Sequence, residues 1–262
     1  MRLISFILIS FLFFSCDKES FKNIDIIGHA GMGLSMQNSI YHDNSFEAVN
    51  LALLFQGSNG VEVDVQMDKK GCLWLFHNDN LEGETTENGC INDKQTDELE
   101  QVKYTSLHNE KLTKLQQILL LKDSTQKLFL DIRDMNAFSN SIIDINIFKS
   151  ALATLEIDNI KNVFLIVSNQ SWAINLAQTY SVFYCSDNFE LSKMFLSQNT
   201  NISGLVIRNK YISKKQVAEI TNLNKRIYLF DMRSPKGNRQ ALNKNPTGII
   251  SDDIRAALIE RN

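Results

Sequence analysis

Three side chains close together in the chain have the types and spacing for acid–base or metal chemistry. In the run GVEVDVQM, Glu62 and Asp64 alternate with Val61, Val63 and Val65, a period of two that predicts a strand with both carboxylates on one face. Asp68, Lys69, Lys70 and Gly71 supply turn residues, and Leu73, Trp74, Leu75 and Phe76 run back. With Met67 opposite Cys72, Asp64 faces Leu75 and Glu62 faces His77, and opposed residues point to the same side of a sheet. Two carboxylates and an imidazole crowded there repel or desolvate one another unless a cation or a substrate joins them. Taken alone, the pattern also fits an ordinary half-buried strand with its acids in water. The rest of the chain decides between the two.

The elements that must hold these groups repeat an order of strand then helix. Apolar runs predict strands at 24–28, 60–67, 127–133, 163–169, 181–186, 204–208, 226–231 and 248–252. Helical patterns fall between them: one begins after a cap at Asn44 or Ser45, with Phe46, Val49, Leu53 and Leu54 facing inward. Others cover 111–121, 142–155, 171–179, 189–196 and 213–223. Eight such units in about 250 residues predict an α/β fold, a closed TIM-type (β/α)8 barrel. An open doubly wound sheet would want a phosphate-binding glycine fingerprint, and the glycines after the first strand lack that spacing. On a barrel, chemistry gathers at the C-terminal strand ends. His29, Glu62, Asp64, Asp131, Ser168, Asn169, Asp231 and Asp252 all fall at or near such ends, although they are far apart in sequence.

Lys and Arg number 27 against 30 Asp and Glu, a net charge of −3 that gives no ground for nucleic-acid binding. Only two prolines occur, so no Pro-rich linker divides the chain. Met1 and Arg2 precede an apolar run at 3–14, and Ser15-Cys16 then leads into polar residues. This is the pattern of an export signal over 1–15, too short for a comfortable membrane span. It resembles a bacterial lipoprotein leader, which implies cleavage before Cys16, lipidation of its thiol and a membrane-anchored protein in the cell envelope. A short linker, 17–22, would join that anchor to a domain at 23–262, with a polar, turn-rich insertion at about 80–110. Cys72, Cys90 and Cys185 are then an odd number, so at least one is a free thiol or bonds another molecule. Cys72 and Cys90 both follow glycine, and whether they pair is left open.

Taken in order, these motifs resemble the glycerophosphodiester phosphodiesterase family of phospholipase C-like barrels. His29-Ala30-Gly31 stands where that family has His-Arg-Gly, and Asp43-Asn44-Ser45 where it has Glu-Asn-Thr. Glu62-Val63-Asp64 matches Glu-x-Asp, Phe76-His77-Asn78 the apolar-His-Asp that follows the turn, and Asp131-Ile132-Arg133 the Glu-x-Lys strand. Gly248-Ile249-Ile250-Ser251-Asp252 matches the closing Gly-Ile-Ile-Thr-Asp. The resemblance implies metal-dependent hydrolysis of glycerophosphodiesters to an alcohol and glycerol 3-phosphate. Glu62, Asp64 and Asp131 would be ligands of a divalent cation, Ca²⁺ or Mg²⁺, as hard oxygen donors suit. His29 and His77 would be the acid/base pair, with Arg133 and Asn44 on the substrate phosphate. Two positions depart from the family: Ala30 lacks the arginine, and Asp131 is one methylene shorter than glutamate. Two alternatives stay open: a barrel that only binds a phosphorylated ligand or cell-surface polymer, which Ala30 favours, and a phosphodiesterase acting on intact phospholipid headgroups, which the membrane anchor brings within reach. His42 and His108 read as surface residues.

Overall fold

The computed structural model of the chain describes residues 21–32 and 41–262. The leader, the lipidated Cys16 and most of the linker read from the sequence lie outside the described residues. Eight parallel strands form the barrel: β1 (Asp25–Gly28), β2 (Gly60–Met67), β3 (Lys127–Ile132), β4 (Val163–Val167), β5 (Val182–Cys185), β6 (Gly204–Arg208), β7 (Arg226–Met232) and β8 (Gly248–Ser251). Each pairs with the next, β8 pairs with β1, and β1 with β2, so the sheet closes. This is the barrel that the strand–helix alternation predicts, and closure leaves it without free edges.

The period-two pattern divides every strand between two cores. Val61, Val63 and Val65 of β2, with Leu128, Leu130 and Ile132 of β3, point outward into the large core under the helices. Ile27, Phe129, Phe164, Ile166, Phe183, Val206, Tyr228 and Ile250 point inward and fill the barrel with aromatic rings. Register then sets the depth of the polar groups: Glu62 is level with Phe129, and Asp64 with Asp131 one layer higher.

The helices carry their own start signals. Ser45, Asp144, Asn169, Asn188, Ser213, Ser234 and Asp253 each cap one by accepting a backbone N–H in its first turn. The helix Phe46–Leu54 buries Ala48, Val49, Ala52 and Leu53, whereas Leu54, expected inward, is 73% exposed. The helix expected over 111–121 shrinks to Leu115–Leu119 behind a short strand, Thr113–Lys114. Helices Pro235–Leu242 and Ile254–Arg261 follow β7 and β8 and were not read from the sequence. Among the described residues, no helix is long and apolar enough to cross a membrane.

The hairpin after β2 has a different register from the expected one. Met67 pairs with Leu73, Gln66 with Trp74 and Val65 with Leu75. The cause is Asp68. Its Oδ1 accepts from the backbone N–H of Lys70 (2.8 Å) and Cys72 (2.9 Å), which wraps Cys72 into a five-residue turn. Beyond the hairpin, Trp74, Phe76, Leu81, Ile91, Leu99, Val102, Tyr104 and Leu112 make a separate small core beside the mouth. Cys72, Cys90 and Cys185 are free thiols.

Candidate active site

His29 is the first residue past β1, and its backbone N–H donates to the Ser251 carbonyl (3.1 Å), continuing the β1–β8 ladder into the mouth. That ladder brings Asp252 alongside. The His29 Nδ1 and the Asp252 carboxylate share a short hydrogen bond, and the opposite ring nitrogen, Nε2, lies 3.8 Å from Glu62 Oε2. Burial opposes charge on this imidazole. The Asp252 hydrogen bond and the Glu62 and Asp252 charges outweigh it and raise His29 to about 9. A carboxylate on Nδ1 fixes both ring orientation and tautomer.

Ala30 follows in a left-handed conformation (φ 48°), fully buried, with its N–H donating to Glu62 Oε2 at 3.1 Å. This position has no side chain reaching the mouth. Its contribution is a backbone donor that aims Glu62.

Glu62, Asp64 and Asp131 each bring one carboxylate oxygen to a group in which these oxygens lie within 4.8 Å of one another. Glu62 and Asp64 are buried, and Asp131 is partly open to the mouth. Burial and the Asp64 charge push Glu62 well above the usual carboxylate range. Burial also pushes Asp131 up, to about 6, against the pull of Arg133 and with the added push of Asp64. Asp64 goes the other way: burial would raise it, but Arg133, His77 and Asn44 hold it low. Three hard oxygen donors that resist sharing negative charge form a set that a divalent cation such as Ca²⁺ or Mg²⁺ fits, and one that a soft metal suits less well.

Asn44 stands behind this set. Its Nδ2 donates to Asp64 Oδ2 (2.9 Å) and its Oδ1 accepts the Asp64 backbone N–H (3.0 Å). Expected on the substrate phosphate, Asn44 is instead almost fully buried and has both polar atoms committed to the acid. It orients Asp64. Arg133, expected on the substrate phosphate, lines the mouth, and there its Nη2 donates to Asp64 Oδ1 and lies 3.8 Å from Asp131 Oδ2.

His77 reaches the site by a route other than the expected one. The strand that returns from the turn ends at Leu75, and the corrected register places Phe76, not Leu75, against Asp64. His77 lies past the strand end, exposed, and lines the same cavity as His29, Asp64 and Asp131. Its Nδ1 is 2.8 Å from Asn78 Oδ1, and Asn78 Nδ2 donates in turn to Glu84 Oε1 (2.6 Å). Both histidines are therefore held at Nδ1 by an oxygen acceptor, and Nε2 of each is the atom left to exchange a proton.

Asp252 was visible in the sequence only as a strand end. Its pairing with His29 depends on the closure of β8 onto β1, which no local pattern records. His42, read as a surface residue, is half-buried: its ring stacks on Tyr104 (3.9 Å between centroids) and its Nδ1 lies 2.6 Å from Asp43 Oδ1. Tyr104 belongs to the separate small core beside the mouth, and nothing near position 42 announces it.

The sequence model described as the Glycerophosphoryl diester phosphodiesterase family matches residues 29–256. No curated protein matches the chain. Among solved structures, a phosphodiesterase from Oleispira antarctica in complex with the product sn-glycerol-3-phosphate is 17% identical, with a TM-score of 0.76 over 90% of this chain and 96% of its own. A glycerophosphodiester phosphodiesterase from Agrobacterium tumefaciens is 15% identical, TM-score 0.71, over 89% and 99%. Another from Thermotoga maritima is 20% identical, TM-score 0.69, over 90% and 96%. At these identities the likeness is one of fold.

Proposed function

The chain belongs to the glycerophosphoryl diester phosphodiesterase family, whose members are phosphoric diester hydrolases, and from that premise we propose that it hydrolyses a glycerophosphodiester to an alcohol and glycerol 3-phosphate with a divalent cation, Ca²⁺ or Mg²⁺. The observation that carries the proposal is the meeting of two Nδ1-anchored histidines with Asp64 and Asp131 in one cavity of about 610 Å³, where Glu62 converges on the two acids from one layer below. That volume suits a small substrate.

In this reading Glu62, Asp64 and Asp131 hold the cation, with Ala30 N–H and Asn44 fixing the angles of the first two. The bound ion supplies positive charge against the phosphoryl oxygens as negative charge builds there. His29 and His77 divide the proton transfers. One takes the proton of the attacking oxygen while the other gives one to the departing alcohol; water as attacker gives glycerol 3-phosphate directly, and a neighbouring substrate hydroxyl gives a cyclic phosphodiester that water then opens with the two roles exchanged. Asp252 keeps His29 upright through both halves of the cycle and stabilises its charged form. Arg133, which lines the same mouth, would be available to the phosphate with Asp64 neutralised by a bound cation.

The test is release of glycerol 3-phosphate by protein lacking residues 1–16, with Ca²⁺ or Mg²⁺ and then with EDTA. Activity should vanish with EDTA and fall by roughly 10²–10⁴ in His29→Ala or His77→Ala. Activity indifferent to the chelator and to both substitutions ends the proposal. The exported form anchored through Cys16 is part of the same reading and is supported by the leader pattern alone. Recovery of the full-length protein in the aqueous phase of a detergent partition would rule that part out.

A further inference from the structure

The mouth of the barrel has a second wall, opposite β2 and β3, that the hydrolytic residues touch only at Asp252. It is a chain of alternating charges set by successive strand ends. Asp187, just past β5, is bonded to Arg208 Nη1 at the end of β6. Arg208 Nε lies 3.8 Å from Asp231 Oδ2 on β7, and Asp231 Oδ1 lies 3.2 Å from Arg233 Nε. Arg233 Nε is in turn 3.7 Å from Asp252 Oδ2, the carboxylate that holds His29. All five residues line the cavity that contains His29, His77 and Asp131.

Asp231 is placed there at a cost. Pairing of β7 with β8 slips between Leu229 and Met232, and Asp231 within the slip has φ 68°, a left-handed conformation inside a strand. Bulges of this kind re-aim a side chain, and such strain persists where the surroundings over-determine it. The side chain so aimed is a carboxylate with one oxygen toward each arginine, and the 3.8 Å side is too long for a direct hydrogen bond.

The geometry points to a subsite for a neutral polyhydroxyl leaving group, such as glycerol, inositol or a sugar, formed by Arg208, Asp231 and Arg233 beside Phe230. This rests on the hydrolase reading and names its substrate class. A hydroxyl donates to carboxylate and accepts from guanidinium, so a wall that alternates the two matches a row of hydroxyls. A quaternary ammonium has no N–H to donate and needs open aromatic faces. Among the described residues lining the cavity, Phe230 is the one phenyl ring, and the Arg208 guanidinium already lies 5.1 Å from its centroid. A serine carboxylate would meet Asp187, Asp231 and Asp252 as well as Arg208 and Arg233, a wall one charge negative overall whose arginines already face those acids.

The experiment compares kcat/KM for release of glycerol 3-phosphate from the glycerol, inositol, choline and serine diesters with the cation present. The polyol diesters should lead the other two by roughly tenfold or more, the scale of discrimination that unpaired polar groups in a site can readily impose. In Asp231→Asn, which tolerates the same backbone, and in Arg208→Gln, that ratio should fall toward one while melting temperatures stay near the parent's. A choline or serine diester turned over as well as the polyols overturns the subsite and leaves the hydrolase standing. The same holds if the ratio survives both substitutions in folded protein. No product from any of the four overturns both.

Discussion

Arg133 is the residue whose surroundings make the clearest demand. Its Nη2 binds Asp64, its Nε is buried without a hydrogen-bond partner, and Asp64 is almost fully shut from water. In the absence of a cation the arginine is the counter-charge that keeps Asp64 ionised. Removing one member of a buried pair leaves the other uncompensated. Arg133 is 34% exposed at its side chain, so screening trims the loss, and Arg133→Met should cost about 1–3 kcal/mol in EDTA. A saturating divalent cation should recover most of it, because the ion replaces the lost charge beside Asp64. Thermal denaturation with and without Ca²⁺ reads both effects, and a variant that melts like the parent in EDTA would show that Arg133 does not carry this charge. Residue types told much of the site. Glu62, Asp64, Asp131 and His29 were legible as neighbours because a strand's period of two and strand-end placement follow from local sequence, whereas His77 was reached through a hairpin register that the structure does not have. Asn44 was misplaced because its spacing does not say whether its amide meets substrate or acid. Asp252 and His42 were missed as partners because Asp252 meets His29 across the barrel closure and His42 meets Tyr104 of the separate small core.

At the level of single elements, the β2 hairpin shows how one side chain overrides a pattern. Alternation predicted the strand correctly but not its pairing, since a slip of one residue preserves the alternation and turns every partner over. The deciding interactions belong to Asp68, which also accepts from Trp74 Nε1 (2.9 Å) and Thr96 Oγ1 (2.6 Å). Four donors thus converge on one buried carboxylate that ties the turn to the insertion. Asp68→Ala strands those donors, and at about 1–3 kcal/mol for each unsatisfied buried group the loss should reach about 3 kcal/mol after partial rewetting. The effect should be local in origin: amide exchange should quicken first in residues 68–76 and 90–104 and leave β4–β6 protected. Uniform loss of protection across the barrel would mean that Asp68 is a global determinant and that this account of the register is wrong. Both helices not read from the sequence, Pro235–Leu242 and Ile254–Arg261, carry only short apolar stripes of two and four buried apolar residues. Their caps, Ser234 and Asp253, were the available signal, and Pro235 stands in the first turn of the former, where a proline is tolerated.

For the whole molecule, the barrel itself was legible because eight strand patterns alternating with helices leave few ways to bury two-sided apolar strands. What local sequence does not give is the stacking inside. Phe129 lies level with Glu62 and one layer below Asp131, with ring centroids 4.9 Å from Phe164, 5.5 Å from Phe183 and 4.7 Å from Tyr228. The site therefore rests on an aromatic floor, and close-packed interiors transmit the loss of a side chain to what stands on it. Leu130, next in β3, is equally buried but points outward to the helices. The two positions separate stability from site support. Phe129→Ala should cost about 3–5 kcal/mol and Leu130→Ala about 2–5 kcal/mol, from lost burial plus the cavity left behind. At about 2–4 °C per kcal/mol for a chain of this size, both should melt several degrees below the parent. Only Phe129→Ala should also weaken the cation, because Asp131 and Glu62 lose the surface that fixes their separation. The measurement is the rise in melting temperature across a Ca²⁺ titration. An equal rise at matched Ca²⁺ in both variants would mean that the carboxylates are held by their strands alone, and the aromatic floor would then have no part in the site.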